Sequence, residues 1–283
     1  MDGNILTAIQ SIVKYSSHNI EENPQEITQN RANQMGAALE DYVKNAFADC
    51  LGQDTRFVKQ ARSQTFSYLG NNNNPPDAML VNGDAIEIKK IKTLRTSQLQ
   101  LNSSYPKNKL RSDNPKICNA CRTCEEWQEK DMLYVVGQVN GQELQNLFFV
   151  YGDLYCDSHE IYENIEKTVK DGLETLDDVE LADTNELCRI NKVDHLEITD
   201  LRVRGMWLIK TPFQHFEYLT REIVSYKFKL VALIPEGKYY GFANVNEFER
   251  FCEKSGVSIS DERIEDPQNP AHFIKTKLIT YYY

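Results

Sequence analysis

The stretch DAMLVNGDAIEIKK, residues 77–90, constrains the fold of this 283-residue chain more than any other segment. Two short runs of β-forming residues flank the tripeptide VNG, which is typical of a tight turn between antiparallel strands. Alternation of side chains along the second run directs Ile86 and Ile88 to one face of the strand. Glu87 and Lys89 then share the opposite face. The segment therefore predicts a hairpin with one charged face.

The length of the turn decides whether Asp77 joins that charged face. A two-residue loop would set Asp77 opposite Ile88, on the wrong face. A three-residue loop, with Gly83 in the left-handed conformation, sets Asp77 opposite Glu87, with Cβ atoms about 5 Å apart. Two carboxylates at that distance destabilise the pair unless a cation lies between them. This register therefore predicts a site for a divalent metal ion.

Paired carboxylates offer hard oxygen ligands, which suit Mg²⁺. Lys89, two positions beyond Glu87, would point at a water molecule on such a metal. Metal and lysine together would lower the pKa of that water and orient it against a phosphorus atom. The sequence contains no His–Ser or Cys–His arrangement and no glycine-rich phosphate loop. The alternative interpretation is a solvated strand face, on which such an ion pair contributes little stability.

The formal net charge of −10 argues against a polyanionic partner, but the charge is unevenly distributed. Residues 89–122 contain nine lysines and arginines and one acid, Asp113, whereas residues 157–187 contain eleven acids and two lysines. A strongly basic segment can attract a polyanion to one face of an acidic protein. Charge alone leaves a nucleic-acid surface and a solvated loop as equal alternatives.

The seven cysteines are odd in number and irregularly placed, which indicates a reducing compartment. The N-terminus lacks the features of a signal peptide, and no apolar run approaches the roughly 20 residues needed to cross a bilayer. We therefore expect a cytoplasmic protein without a membrane span. Cys118, Cys121 and Cys124 have spacing that resembles a metal site, but no fourth ligand lies close in sequence. Steps of three also suit packing on one side of a helix.

Periodicity predicts an α/β protein. Helices are expected at 5–14, at 34–48, at about 158–173 and over VNEFERFCEK. Strands are expected for RFVKQA, QTFSYLG, DAMLV, DAIEIKK, ITDLRVRGMWLI, FKLVALIP and KLITYYY, with a hairpin turning at Asn140-Gly141. No internal repeat or long linker divides the chain, so we expect a single domain over residues 1–283.

The hairpin also resembles a known signature. Pro76-Asp77 followed by Glu87-Ile88-Lys89 matches the PD…(D/E)xK motif of the restriction-endonuclease-like nuclease superfamily. The segments NRANQMGAALEDYVK, FSYLGNNNNPPDAMLVNGDAIEIKKI, LNSSYPKNKL, LRVRGMW and NPA…KLITY resemble, in the same order, the NgoPII-type type II restriction endonucleases. The resemblance implies a restriction-endonuclease-like core, in which a mixed central β-sheet is flanked by helices, with elaborations for DNA recognition. It also implies Mg²⁺-dependent cleavage of double-stranded DNA at the palindrome GGCC by a homodimer, with a cognate DNA methyltransferase as functional partner.

The resemblance also implies roles for individual residues. Asp77 and Glu87 are expected to bind the metal, and the carbonyl of Ile88 to complete its shell. Lys89 is expected to position or activate the attacking water. Glu40, in the helix that precedes the motif, is a candidate further ligand, and its alternative is a solvated helix face.

Arginine suits the O6 and N7 acceptors of guanine in the major groove. Arg202 and Arg204 alternate onto one face of an expected strand, and Gly205 allows close approach, so they are candidates for reading bases. Their alternative is a pair of surface arginines balanced by nearby acids. Phosphate contacts that fix register are expected from the loop after the catalytic strand, at Lys107, Lys109 and Arg111. Contacts to either groove are possible for Asn102, Ser103, Ser104 and Tyr105.

Two rival functions remain open at this point. One is a nuclease with the same catalytic core but without strict sequence choice, such as a repair or junction-resolving enzyme. The other is a non-catalytic DNA-binding module, in which Asp77, Glu87 and Lys89 form only a surface charge cluster.

Overall fold

The structure is a computed structural model. It describes residues 3–15, 17–18, 20, 31–71, 74–101, 104–176, 180–181, 187–220 and 225–283, with the backbone alone for 31–35 and 180–181. Asn102 and Ser103, two residues expected to contact DNA, lie outside the described residues.

The described residues form eight α-helices and fourteen strands. The helices are α1 (Ile5–Tyr15), α2 (Arg31–Phe47), α3 (Thr55–Thr65), α4 (Asn119–Arg122), α5 (His159–Glu174), α6 (Pro212–His215), α7 (Glu236–Gly241) and α8 (Val245–Ser255). The strands are β1 (Phe66–Tyr68), β2 (Ala78–Leu80), β3 (Ala85–Ile91), β4 (Gln98–Leu101), β5 (Lys109–Arg111), β6 (Glu129–Asn140), β7 (Glu143–Tyr151), β8 (Glu180–Leu181), β9 (Cys188–Asn191), β10 (Leu201–Val203), β11 (Trp207–Lys210), β12 (Lys229–Pro235), β13 (Ser258–Asp266) and β14 (Asn269–Tyr282). Short 3-10 helices stand at Gly152–Leu154 and Glu217–Leu219.

Nine of these strands form one central sheet, in the order β1-β2-β3-β6-β7-β12-β14-β13, with β5 added on β6. β3 runs parallel to β6, and β7 runs parallel to β12, while the other neighbours are antiparallel. The sheet is therefore mixed, as expected from the family resemblance. Two smaller sheets, β10-β9-β8 and β11-β4, accompany it in the described part of the chain.

The core beside this sheet explains the orientation of β3. Ile86 and Ile88 belong to a buried apolar cluster that includes Ile9 of α1, Val43 of α2 and Phe248 of α8. Burial of these isoleucines against the helices fixes which face of β3 points inward, because each large aliphatic side chain gains about 1.5–3 kcal/mol from burial. The opposite face, with Glu87 and Lys89, therefore points away from the helical layer.

Most of the expected elements are confirmed. The predicted helices correspond to α1, α2, α5 and α8, and the predicted hairpin at Asn140-Gly141 joins β6 to β7. The mixed sheet flanked by helices confirms the predicted fold class. The extent of the domain, 1–283, stays a prediction.

Two predictions were wrong. The segment RFVKQA, expected as a strand, lies in α3, because the Asp54 carboxylate accepts hydrogen bonds from the N–H groups of Arg56 and Phe57 and caps a helix there. α3 buries none of its side chains, so its β-forming residues, including the half-exposed Phe57, do not decide its conformation. The segment ITDLRVRGMWLI, expected as one strand, is divided between β10 and β11, which belong to different sheets.

None of the helices among the described residues is long and apolar enough to cross a membrane.

Candidate active site

The β2–β3 hairpin has the register that the carboxylate pair requires. Ala78 pairs with Ile86, and the Asp77 N–H donates to the Ile86 carbonyl at 3.0 Å. The ladder ends at this pair, because Asp77 and Ala78 both lie against Ile86, and the loop that joins the strands has three residues, 81–83. The predicted loop length is therefore confirmed, whereas the direct pairing of Asp77 with Glu87 stays a prediction.

The conformation within the loop differs from the prediction. Asn82 adopts the left-handed conformation, with φ of 50°, whereas Gly83 does not. Asparagine tolerates this region better than most residues, because its short polar side chain bonds locally. Gly83 is needed for space instead, since a Cβ there would lie 2.9 Å from Cβ of Leu80.

The three predicted catalytic side chains are brought together. Lys89 Nζ lies 2.6 Å from Glu87 Oε1 in an ion pair. Asp77 Oδ2 accepts a hydrogen bond of 2.6 Å from the Ile88 N–H, so the backbone of β3 orients the first acid. Glu87 Oε2 is buried and has no hydrogen-bond partner among the described residues. A buried carboxylate oxygen without a partner is costly, which points to a ligand that the site is built to receive.

Burial and like charge raise the pKa of Asp77 to about 7. Burial is the larger cause, and the negative charge of Glu87 adds to it, while Lys89 and the Ile88 N–H act in the opposite direction. Burial alone would lower the pKa of Lys89, but the carboxylates of Glu87 and Asp77 outweigh it and raise that pKa. Lys89 is therefore an ammonium at neutral pH, which can donate hydrogen bonds to a water but cannot accept its proton.

These observations fit a divalent metal held by Asp77 and Glu87. A cation between the two acids would offset their repulsion and supply the missing partner of Glu87 Oε2. Among the described residues, no group of three or more His, Cys, Asp or Glu side chains could hold a metal ion. Metal binding by Asp77 and Glu87, and the contribution of the Ile88 carbonyl, stay predictions.

Glu40 lies close enough to this pair to act on it electrostatically. Its charge raises the pKa of both Asp77 and Lys89. Its own carboxylate pairs with Lys44 at 3.2 Å, and the side chain is 37% exposed. Its role as a further metal ligand remains a prediction.

The site opens into a cleft of about 260 Å³. It is lined by Asn71, Asn74, Pro75, Asp77, Glu87, Lys89, Gln100, Leu101, Ser104, Tyr105, Lys107, Met132 and Tyr134. Part of the lining therefore comes from the basic segment, at Gln100, Leu101, Ser104, Tyr105 and Lys107. Of the residues expected to contact DNA, only Ser104, Tyr105 and Lys107 are among this lining.

Lys107, which was expected to contact phosphate from a loop, has an internal side chain, and its phosphate contact stays a prediction. It lies in the connection between β4 and β5, as expected, but it is only 3% exposed and lines the cleft beside Glu87. Neither Lys107 nor Tyr134, which lies beside Glu87 on β6, was expected in the catalytic centre. A lysine in a basic stretch gives no local signal that its side chain will be internal.

Lys109 and Arg111 lie on β5 rather than in a loop. Lys109 pairs with Asp131 and, at 2.7 Å, with Asp153. Arg111 pairs with Asp113 at 2.7 Å and contacts His159. A phosphate that approached Lys109 or Arg111 would compete with the carboxylates that already pair with that side chain.

Arg202 and Arg204 are exposed and are not among the residues that line the cleft. Arg202 lies on β10 opposite Arg189, and Arg204 follows the end of that strand. The expected strand that would hold both arginines is thus shorter than the alternation indicated. Their role in base reading stays a prediction.

The cysteine cluster makes contacts typical of packed thiols. Cys118 Sγ lies 3.2 Å from the Tyr68 hydroxyl, and Cys124 Sγ donates to the Cys121 carbonyl at 3.1 Å. Cys121 is buried, and burial raises the pKa of its thiol to about 12. These contacts give the metal interpretation of the cluster no support.

A mixed sheet that carries opposed acids and an adjacent lysine on one hairpin, at the wall of a cleft, defines an enzyme of the restriction-endonuclease class. Comparison with known sequences agrees. Residues 3–265 match the family described as NgoPII restriction endonuclease. The type II restriction enzyme NgoPII of Neisseria gonorrhoeae is 43% identical over 282 residues, which cover 99% of each chain.

The chain therefore belongs to the NgoPII restriction endonuclease family. It is a type II restriction enzyme, a site-specific endonuclease that acts on double-stranded DNA with a divalent metal cofactor. No solved structure matches the chain.

The raised pKa of Asp77 predicts how stability depends on pH in the metal-free protein. In the unfolded chain Asp77 titrates near pH 4, so between about pH 4 and pH 7 the folded state alone retains the proton. The free energy of unfolding should therefore fall as the pH rises through this window. Asp77→Asn removes that cost and should raise the melting temperature in EDTA at pH 8, with a difference that shrinks toward pH 4.

Thermal unfolding with and without Mg²⁺ checks this expectation. Added metal should stabilise the wild-type protein and leave Asp77→Asn unchanged. A variant that melts below the wild type in EDTA at pH 8 would contradict the proposed repulsion.

Proposed function

We propose that this restriction enzyme uses Mg²⁺ to hydrolyse phosphodiester bonds within the palindrome GGCC, and that it acts as a homodimer. The observation that carries the catalytic part is the group of Asp77, Glu87 and Lys89 in one cleft, where Glu87 has one buried oxygen without a partner and pairs with Lys89 at 2.6 Å. The resemblance to the NgoPII family supports GGCC as the site.

Each side chain has a distinct part in this mechanism. Asp77 and Glu87 would hold the metal, with the Ile88 carbonyl and Glu40 as candidate further ligands. When bound, Mg²⁺ supplies stabilisation of negative charge on the phosphoryl group and a lowered pKa for a bound water. Lys89, fixed by Glu87 on the same face of β3, donates to the attacking water and orients it.

Digestion of long duplex DNA with Mg²⁺ tests the proposal. Discrete fragments whose ends map to GGCC are expected. A smear or structure-dependent nicks would favour the nuclease without strict sequence choice. Intact DNA would favour the non-catalytic binding module.

Loss of any one of the three catalytic side chains should reduce cleavage by several orders of magnitude while specific binding survives. The variants are Asp77→Asn, Glu87→Gln and Lys89→Ala, and the readouts are single-turnover cleavage with Mg²⁺ and duplex binding with Ca²⁺. Ca²⁺ tolerates longer and looser coordination than Mg²⁺, so it should support binding without turnover.

Lys90→Ala is the matched control, because Lys90 follows Lys89 on β3 but points to the opposite face. This variant should cut at the wild-type rate. Near-wild-type cleavage by any of the three catalytic variants would remove that residue from the mechanism.

The homodimer follows from the number of bonds to be cut. Asp77, Glu87 and Lys89 form one candidate catalytic site in each chain, whereas a palindromic duplex presents two equivalent bonds, one on each strand. Light scattering should therefore give about twice the chain mass of 32.7 kDa. A monomer that remains monomeric on cognate duplex with Ca²⁺ would contradict this part of the proposal.

A restriction activity also requires a cognate DNA methyltransferase that protects the host's own sites. We place both enzymes in the cytoplasm, where a bacterial host keeps its DNA.

Base reading is assigned to Arg202 and Arg204, and phosphate contact to Lys109 and Arg111. Arg202→Ala or Arg204→Ala should cost roughly 1–3 kcal/mol of binding and relax the choice of base at one position. Lys109→Ala and Arg111→Ala should instead weaken binding to all sequences alike and flatten its salt dependence, because phosphate contacts release counterions.

Binding to cognate and single-mismatch duplexes, measured across salt concentrations, separates the two behaviours. Equal losses on both duplexes for Arg202→Ala and Arg204→Ala would assign base reading to another segment.

A further inference from the structure

Lys107 is an internal cation in the catalytic cleft. Its side chain lines the same cleft as Asp77, Glu87 and Lys89, and the residue is almost fully buried. Lys89 is bound by the Glu87 carboxylate at 2.6 Å. Lys107 is the second lysine in the lining of this cleft, so the question is which group binds its ammonium.

The contacts of its ammonium are all uncharged. Nζ donates to the Ser104 hydroxyl and, at 3.1 Å, to the Tyr105 carbonyl, and it lies 4.6 Å from the centre of the Tyr105 ring. In the part of the chain that the structure describes, Lys107 forms no ion pair. A buried ammonium without an ion-pair partner is unfavourable, and burial lowers its pKa to about 8, although the nearby charges of Glu87 and Glu166 oppose that shift.

The backbone of Lys107 is fixed against the catalytic strands. The Tyr134 hydroxyl accepts from the Lys107 N–H at 2.7 Å and donates to its carbonyl at 3.1 Å. Tyr134 is the β6 neighbour of Glu87 in the parallel pairing of β3 with β6. On the other side, Gly152 approaches so closely that a Cβ there would lie 2.5 Å from the Lys107 carbonyl oxygen. The position is thus held relative to Glu87 by the sheet itself.

We propose that Lys107 is a second catalytic lysine, whose ammonium donates a hydrogen bond to a non-bridging oxygen of the phosphodiester group that is cleaved. The inference rests on the proposed function, because it takes the cleft to be where the bond is broken. A phosphate oxygen carries the negative charge that would form an ion pair with this ammonium. Its negative charge grows during the displacement, so a preorganised donor in a water-poor cleft stabilises the transition state more than the bound substrate.

A purely structural role is the alternative. In that case the hydrogen bonds of the ammonium hold Ser104 and Tyr105 against the sheet. Loss of the ammonium then destabilises the folded protein. The two roles predict opposite effects on stability. Replacing a buried ammonium that has no ion-pair partner leaves the stability of the folded protein unchanged or raises it. Removing a contact on which the fold depends lowers that stability.

The test compares Lys107→Met, which is unbranched, one atom shorter and uncharged, with the wild type and with Lys107→Arg. Single-turnover cleavage of a saturating duplex by Lys107→Met should be slower by about 10²–10³-fold, as for loss of one preorganised donor in other enzymes. Duplex affinity with Ca²⁺ should account for only a minor part of this loss. The melting temperature without DNA should equal or exceed that of the wild type. Lys107→Arg, which retains a donor, should cut faster than Lys107→Met.

Lys130→Met is the matched control for stability. Lys130 is also a buried lysine, but it pairs with the Glu125 carboxylate and donates to the carbonyls of Leu80 and Gly83 at 3.1 and 2.8 Å. Its loss leaves Glu125 without its cation, so this variant should melt below the wild type.

Three results would overturn the proposal. They are a Lys107→Met cleavage rate close to that of the wild type, a melting temperature that falls as in Lys130→Met, and a loss of affinity that accounts for the whole loss of cleavage. Wild-type cleavage at sites other than GGCC would instead contradict the proposed specificity. The same comparison on the DNA that is cut would still decide the role of Lys107.

Discussion

Like charges repel most strongly where water is excluded, and the hairpin of β2 and β3 brings Asp77 and Glu87 together in the lining of a cleft. The protein offsets this repulsion only in part. The Ile88 N–H binds one acid and Lys89 binds the other, while one oxygen of Glu87 has no partner in the described structure. A single register of the hairpin thus brings together two acids, a lysine and one carboxylate oxygen that has no partner among the described residues.

The hydrophobic core enforces that register. Ile86 and Ile88 alternate with the charged residues of β3 and are buried among α1, α2 and α8. A slip by one residue would expose both isoleucines and bury Glu87 and Lys89 in the apolar layer. Packing on one face of the strand therefore determines the chemistry on the other, and the same strand pairs in parallel with β6 to bring Tyr134 alongside Glu87.

The sequence was sufficient where the determinants are local. Turn length and alternation predicted that Asp77 faces Glu87, because both follow from a few adjacent residues. The same reasoning wrongly predicted the left-handed conformation for Gly83 instead of Asn82. Both residue types tolerate that conformation, and contacts with neighbouring residues determine which of them adopts it. The same reasoning also missed the cap at Asp54, which makes RFVKQA helical.

Tertiary determinants lay beyond the sequence. The burial of Lys107 depends on Tyr134, which is 27 positions away, and the acids that pair with Lys109 come from two other parts of the chain. The division of the segment around Arg202 and Arg204 likewise depends on β9 and β4, with which its two halves pair. None of these partners is marked by a local pattern.

Gly152 shows how such remote pairings constrain the variation that a family member can accept. The glycine opens a 3-10 turn after β7 and does not adopt a left-handed conformation, so its backbone angles alone would admit other amino acids. The available space admits none of them, because a Cβ atom at this position would lie 2.5 Å from the Lys107 carbonyl oxygen and 2.7 Å from Cα of Asn108. Even alanine, the smallest replacement, would push the loop that carries Lys107 away from the sheet. Tolerance at position 152 is thus set by the shape of the active site, although residue 152 contributes no chemical group to it.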